Sequence, residues 1–292
     1  MRTQRNGGWA RPALSFVGVM TLTACLGLCL ARLSGDSPRS FPVLPPDDSV
    51  SIGSSSHTVD EIARRYRPRI VELPQARPDP VVGVSYEAWT DGDDLLITYF
   101  FTWSDEVHPY PVAHALYGLY RWAYYLGRQD VEYVQVRVSG DGDVLGVRFE
   151  SAADLDPWTS RPVHVDASAE PVGPTWRRYL TDDDGDRPVL VDVPAPVGER
   201  MVLYVATWNH LLDVLPPPLD VGGWEEAPDS PLPVHRSASD YEAQAGARRG
   251  HPSPESTETP GRALLGQAGG VMYVSSPLVA LATVLVRRRM TS

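Results

Sequence analysis

The sequence predicts a mainly β protein: an antiparallel β-sandwich domain with one or two short helices, flanked by N- and C-terminal transmembrane helices. Three observations carry this expectation. Two uncharged apolar runs lie near the ends of the 292-residue chain, and Arg residues edge both. Between them, strand-like stretches come in pairs joined by Gly- and Asp-rich turns, and they outnumber helical stretches. The chain also holds 28 Pro and 24 Gly, which punctuate it too often for a helical bundle.

The first run, Pro12 to Ala31, contains no charged residue. Its twenty positions would span roughly 30 Å as a helix, about one hydrocarbon core. Arg2, Arg5 and Arg11 precede it and the first acid is Asp36, so residues 1–11 are expected in the cytoplasm and 12–32 as a transmembrane helix or signal anchor. Cleavage as a signal peptide and lipidation are the other fates of such a run. The tetrad Leu22-Thr23-Ala24-Cys25 resembles a bacterial lipobox, which makes Cys25 the candidate lipid attachment site. The stretch after Cys25 stays apolar, and this favours a retained anchor. The second run, Ala263 to Val286, is 24 residues long and ends against Arg287, Arg288 and Arg289. It predicts a second span over 263–286 with a cytoplasmic tail at 287–292. Residues 33–262 are then extracytoplasmic, in a protein of the cell membrane.

Both cysteines, Cys25 and Cys29, sit in the first run, which excludes a disulfide scaffold or a cysteine zinc site in the folded part. All 26 basic residues are Arg, a bias typical of high-GC bacterial coding, and lysine chemistry is excluded. Seven Arg lie in the end segments, leaving 19 against all 37 acids between them, a net of −18. Such a domain repels nucleic acid. The expected partners are the lipid bilayer through both ends and a glycan or protein ligand outside.

Residues 33–57 are rich in Ser and Pro and read as a flexible linker; residues 216–262 read as a Pro-rich disordered stalk. The ectodomain is expected over 58–215. Within it, Val59 to Tyr66 predicts a short helix ended by Pro68. Val81–Thr90 and Leu95–Trp103 flank Asp91-Gly92-Asp93-Asp94 as one hairpin, and Val131–Val138 and Val144–Phe149 flank Gly140-Asp141-Gly142-Asp143 as another. Val112 to Leu126 has apolar residues at helical spacing. Val189–Val193 and Met201–Thr207 are further strand candidates.

The stretch Asp130 to Val138 carries the most chemistry. Strand alternation puts Asp130, Glu132, Val134, Val136 and Val138 on one face, so two carboxylates lie in line with the core-facing side. Carboxylates there require an Arg, a metal ion or dense hydrogen bonding. Arg121, Arg128 and Arg148 are the near candidates for the pairing cation. His108 and His114 flank Pro109-Tyr110-Pro111 and complete a candidate cation or ligand site with Asp130 and Glu132. No cofactor is expected beyond a divalent cation at that site.

The strand Leu96-Ile97-Thr98-Tyr99-Phe100-Phe101 followed by Asp130-Val131-Glu132-Tyr133-Val134 resembles the necrosis-inducing protein family and its vacuolar-sorting-type relatives over residues 80–150. The family motif runs Gly-His-Arg-His-Asp-Trp-Glu, and its acids and His help hold a metal used to bind membrane sphingolipids. This chain has Gly127-Arg128-Gln129 where the His residues belong and Val131 in place of the Trp. The resemblance implies a β-sandwich and, as one alternative, a degenerate metal- or lipid-binding protein of that type.

Other constellations are weaker. The acidic run Thr181 to Asp186 lacks the first and last ligands of an EF-hand and reads as a solvated turn. No G-x-S-x-G occurs, and no His pair has the spacing of a zinc helix. A non-enzymatic ectodomain that binds a ligand or protein partner is therefore expected. The rival is a surface hydrolase, glycosidase-like, with Asp130 and Glu132 as its acid and base. Aromatics crowd between Trp89 and Tyr125; a packed core accounts for most of them, and a sugar-stacking face is the functional alternative.

Overall fold

The structure is a computed structural model that describes residues 19, 21–23, 25–26, 42–72, 80–125, 130–152, 164–182, 185–191, 200–216, 225–226 and 233–235. Both expected membrane spans lie outside these residues, apart from the six helical positions between 19 and 26. Among the described residues no helix is long and apolar enough to cross a membrane.

The chain enters the domain through a small ribbon, β1 (Ser49–Ile52) and β2 (Ser55–Thr58). Gly53 at φ 59° makes its turn. All of this ribbon but Thr58 falls within the expected flexible linker, residues 33–57. Its pairing shows that the Ser-rich composition hides a hairpin. Thr58 then caps α1 (Val59–Arg65) in a full capping box: its side chain accepts from the Glu61 N–H and the Glu61 carboxylate accepts from the Thr58 N–H. Arg64 and Arg65 in the last turn suit the helix dipole.

After β3 (Arg69–Glu72) come β4 (Val81–Asp91) and β5 (Asp94–Trp103), joined by a tight turn with Gly92 at φ 63°. Helix α2 (Pro111–Tyr125) separates them from β6 (Asp130–Val138) and β7 (Val144–Ala152). A meander of β8 (His164–Val172), β9 (Thr175–Asp182) and β10 (Gly185–Val191) follows. The β8–β9 hairpin is not among the strands expected from the sequence; its strands pair around Gly173 at φ 62°. The last strands are β11 (Val202–Val205), β12 (Leu212–Asp213), β13 (Glu225–Glu226) and β14 (Val234–His235).

Two sheets result, in the orders β10-β9-β8-β7-β6-β5-β4-β14 and β12-β11-β3-β13. The mainly β architecture is as expected, with two refinements. Pairing is antiparallel except between β14 and β4 and between β11 and β3. The expected stalk also contributes: β13 and β14 close one edge of each sheet, and the His235 Nε2 lies 2.9 Å from the Leu44 carbonyl oxygen.

The core fills the space between the sheets. Tyr99, Phe101 and Trp103 of β5, Val134 and Val136 of β6 and Phe149 of β7 meet Leu203 and Val205 of β11 and Leu212 of β12 in one cluster. Phe100, Val131 and Tyr133 form a smaller cluster on the other face of the large sheet. One buried ion pair joins the layers. Arg178 of β9 donates from Nε to Asp213 Oδ2 of β12 at 2.8 Å and pairs with it through Nη2 as well. The Ser151 hydroxyl of β7 donates to the same oxygen at 2.6 Å, and the Leu215 N–H donates to Oδ1 at 3.0 Å. Every oxygen of this carboxylate is engaged, as a buried charge demands.

Candidate functional site

The core-facing row of β6 carries Val134, Val136 and Val138 at one end and Asp130 and Glu132 at the other. The register sets Glu132 opposite Phe101 and Asp130 opposite Trp103. Glu132 is 4 % exposed, and its Oε2 has no hydrogen-bond partner among the described residues. Burial pushes its carboxyl well above the usual range. Glu150, Asp130 and Glu106 push it further the same way by like charge, and Glu150 hydrogen-bonds to it. Glu132 is therefore a neutral acid under conditions where ordinary carboxylates are charged. Strand β7 supplies Glu150, and the segment after β5 supplies Glu106, itself buried.

The basic side chain beside Asp130 is neither of the expected histidines. His210 sits with Nδ1 2.9 Å from Asp130 Oδ2, the two side chains being 6 % and 14 % exposed. The turn between β11 and β12 puts it there. Thr207 Oγ1 accepts from the Leu211 N–H at 3.1 Å and donates to Asn209 Oδ1 at 2.7 Å, while the Ala206 N–H donates to the Leu211 carbonyl at 2.8 Å. This tight loop forces His210 to φ 61°, and among the described residues it is the one non-glycine with a left-handed backbone. Its ring stacks on Trp103 with centroids 4.6 Å apart and planes 10° apart. Trp103 is fixed in turn by donating from Nε1 to Glu72 at 3.0 Å.

Among the described residues, no hydrogen bond or ion pair joins His108 or His114 to Asp130 or Glu132. His108 packs 4.6 Å from Trp208, whose other neighbour, Tyr117 of α2, lies 6.0 Å away edge-on. The Tyr117 hydroxyl donates to the two Glu106 oxygens at 3.2 and 3.3 Å. His114 Nδ1 and Trp208 Nε1 are buried atoms without a hydrogen-bond partner among the described residues. Of the Arg residues considered, Arg148 is exposed, the Arg121 side chain and Arg128 fall outside the description, and the buried Arg178 is committed to Asp213. Among the described residues, no three His, Cys, Asp or Glu side chains are arranged to hold a metal ion. The acidic run at Thr181 to Asp186 ends β9 and begins β10.

Sequence reasoning missed His210, Glu150 and Glu106. The Thr207-Trp208-Asn209-His210 stretch does carry a turn signal in its Thr and Asn side chains. Nothing local pairs it with Asp130, eighty positions earlier.

Comparison with known proteins finds no matching family description and no matching curated sequence. Three solved structures are similar. One is described as "Toxin fold for microbial attack and plant defense", at 11 % identity over 73 % of this chain and 88 % of that one, with a TM-score of 0.36. The others are NLPPya in complex with glucosamine, at 11 % identity, and with mannosamine, at 12 % identity. Each spans 79 % of this chain and 96 % of its own, with a TM-score of 0.33. A likeness at this level bears on neither the site nor its chemistry.

Proposed function

We propose that this chain is a non-enzymatic binding protein of the cell surface, anchored in the membrane and capturing a positively charged ligand at the Glu132 site. One observation carries the reading: a buried carboxyl, one of whose oxygens has no hydrogen-bond partner among the described residues, feels the like charge of three further carboxyls. A structural acid in a core is normally neutralised by a dedicated cation, as Asp213 is by Arg178. Glu132 has no such partner among the described residues, and Asp130 at its outer edge reaches solvent. The surface placement rests on the charge-free runs at 12–32 and 263–286 and their flanking Arg residues.

Thermal melts of the full-length chain in non-ionic detergent test the site. Calcium, magnesium, manganese and protonated glucosamine form the charged panel, and neutral N-acetylglucosamine is the control. At least one cation is expected to raise the melting temperature by several degrees, with the rise lost in Glu132→Gln. A flat response across the panel overturns the reading. For topology, an epitope tag after Ser292 is expected to stay inaccessible from outside intact cells.

The hydrolase reading has one feature in its favour. Burial and neighbouring acids push the Glu132 carboxyl up while Asp130 lies against His210, so the two acids occupy unlike environments. Turnover of an aryl glycoside that disappears in both Asp130→Asn and Glu132→Gln would establish it over the binding role.

A further inference from the structure

The outer edge of a sheet is a template for another strand, because half of its N–H and C=O groups point away from the ladder. The two edges of β4 are held very unequally. Toward β5 it is paired from Val81 to Asp91. On its other side β14 covers only Ser85 and Tyr86, and the Leu44 N–H donates to the Ala88 carbonyl at 2.8 Å. We propose that this outer edge is a docking site for an extended peptide of the pattern Pro-x-His, and that the chain's own Pro233-Val234-His235 fills it as a strap.

The seated segment shows what the edge reads. Pro233 is buried, Val234 is 67 % exposed and His235 is half-buried, the in-out-in order of a strand lying on a surface. The middle side chain is therefore not selected, and the two flanking ones are. The His235 ring lies edge-on to Tyr86, with centroids 5.3 Å apart and planes 75° apart. Its Nε2 lies 2.9 Å from the Leu44 carbonyl oxygen. A carbonyl only accepts, so Nε2 carries the proton and donates, and a ring N–H is what this position selects. Pro233 brings a φ fixed near about −65°, which leaves less freedom to lose on docking.

The platform under the strap is built without it. The Tyr86 hydroxyl donates to Asp60 Oδ1 at 3.1 Å, and Asp60 pairs with Arg64 at 2.7 Å within α1. The Asp60 and Val59 N–H groups donate to the Pro46 and Asp48 carbonyls, each at 3.0 Å, and so fix the segment beside Leu44. Lifting the strap leaves Tyr86 and the Leu44 carbonyl in place for a second strand. A strap of two paired residues, with its middle side chain in water, belongs to the part of a fold that opens at least cost. A peptide in trans that offers the same backbone and the same ring N–H then adds as a strand.

Hydrogen exchange of the full-length chain in non-ionic detergent, read by mass spectrometry, tests this. The probe is a synthetic peptide of residues 230–239, Ser-Pro-Leu-Pro-Val-His-Arg-Ser-Ala-Ser, and the control peptide carries His235→Ala. In the His235→Ala protein, the Leu44 amide and the outward amides between Val84 and Ala88 should exchange roughly 2–10-fold faster than in the parent, the span of one lost hydrogen bond. Amides of β5 and β6 should keep the parent rate. The probe at millimolar concentration should return the fast amides to the parent rate, and the control peptide should not. Unchanged exchange in the variant means that His235 does not hold the strap, and overturns the inference. Faster exchange across the whole domain does so too, because His235 then serves general stability. A probe that restores no protection, or a control peptide that restores it equally, removes the docking site.

Discussion

Removing the Asp213 carboxylate should come close to unfolding the domain. Asp213 is wholly buried and Arg178 is 5 % exposed, so Asp213→Ala leaves a guanidinium in the core with no counter-charge. Breaking a buried pair from one side costs about 3–5 kcal/mol. The Ser151 hydroxyl and the Leu215 N–H lose their acceptor as well, each worth about 1 kcal/mol after relaxation. A loss of roughly 5–7 kcal/mol follows, out of a typical total of about 5–15 kcal/mol. For a domain of this size each kcal/mol moves the melting temperature by about 2–4 °C, so a fall of about 10–28 °C is expected. Circular dichroism melts of the full-length chain in detergent read it directly. The double variant Arg178→Met with Asp213→Leu removes both charges and should recover most of the loss, because the penalty lies in the orphaned charge rather than in the missing pair. A single-variant shift below about 4 °C, or a double variant no better than the single one, would refute the reasoning. The clamp also matters to the site. Asp213 lies three residues after His210, and loosening β12 should free the loop that holds His210 against Asp130.

Three further outcomes are expected. Burial and neighbouring acids raise the Glu132 carboxyl in the folded state above its ordinary value of 4.5. Its contribution to stability is therefore complete below that value and is lost as pH rises through the folded one. Melting temperatures should fall from pH 5 to pH 8 in the parent and stay flatter in Glu132→Gln; parallel curves would dismiss the neutral-acid assignment. Gly142→Ala should destabilise by about 2 kcal/mol or more. The residue sits at φ 93°, and an added Cβ would lie 2.7 Å from Ile52 Cγ2 and 3.1 Å from the Tyr66 hydroxyl, which a urea titration would register. Finally, His210→Ala should be less stable than His210→Gly by about 1 kcal/mol, since both lose the ring and only glycine adopts φ 61° freely. Equal stabilities in the same titration would mean that the left-handed backbone at this position stores no strain.

What the sequence made legible was local. Alternation along Asp130 to Val138 needed only the two-residue period of a strand to place Glu132 on the core side, and Asp91-Gly92 needed only turn chemistry to make a hairpin. The ribbon at residues 49–58 was hidden because its Ser-rich strands gain their stability from neighbours. The Gly53 N–H donates to the Gly140 carbonyl and the Val59 N–H to that of Asp48, contacts no composition reveals. The same limit applied to β13 and β14, two-residue strands that exist only because a sheet edge is waiting for them. His108 and His114 were reasonable partners for Asp130 by distance along the chain. The loop that delivers His210 instead depends on a backbone conformation that L-residues avoid, and on a Trp103 ring one strand away.

The contrast between two acids of one core decides how the site should be understood. Asp213 and Glu132 are both buried, and both lie where apolar side chains would pack at less cost. Around Asp213 the fold has assembled an Arg, a Ser hydroxyl and a backbone N–H, so the carboxylate is a completed joint between two sheets. Around Glu132 it has assembled Glu150, Asp130 and Glu106, each of which makes ionisation harder. A proton relieves that repulsion in the free protein, and a proton is the counter-ion most easily exchanged for another cation. If Glu132 served stability, Glu132→Gln would destabilise the domain; if it serves binding, that substitution should leave the fold no weaker. A buried carboxyl whose Oε2 has no hydrogen-bond partner among the described residues is what the proposed binding site requires: a group left unsatisfied until its ligand arrives.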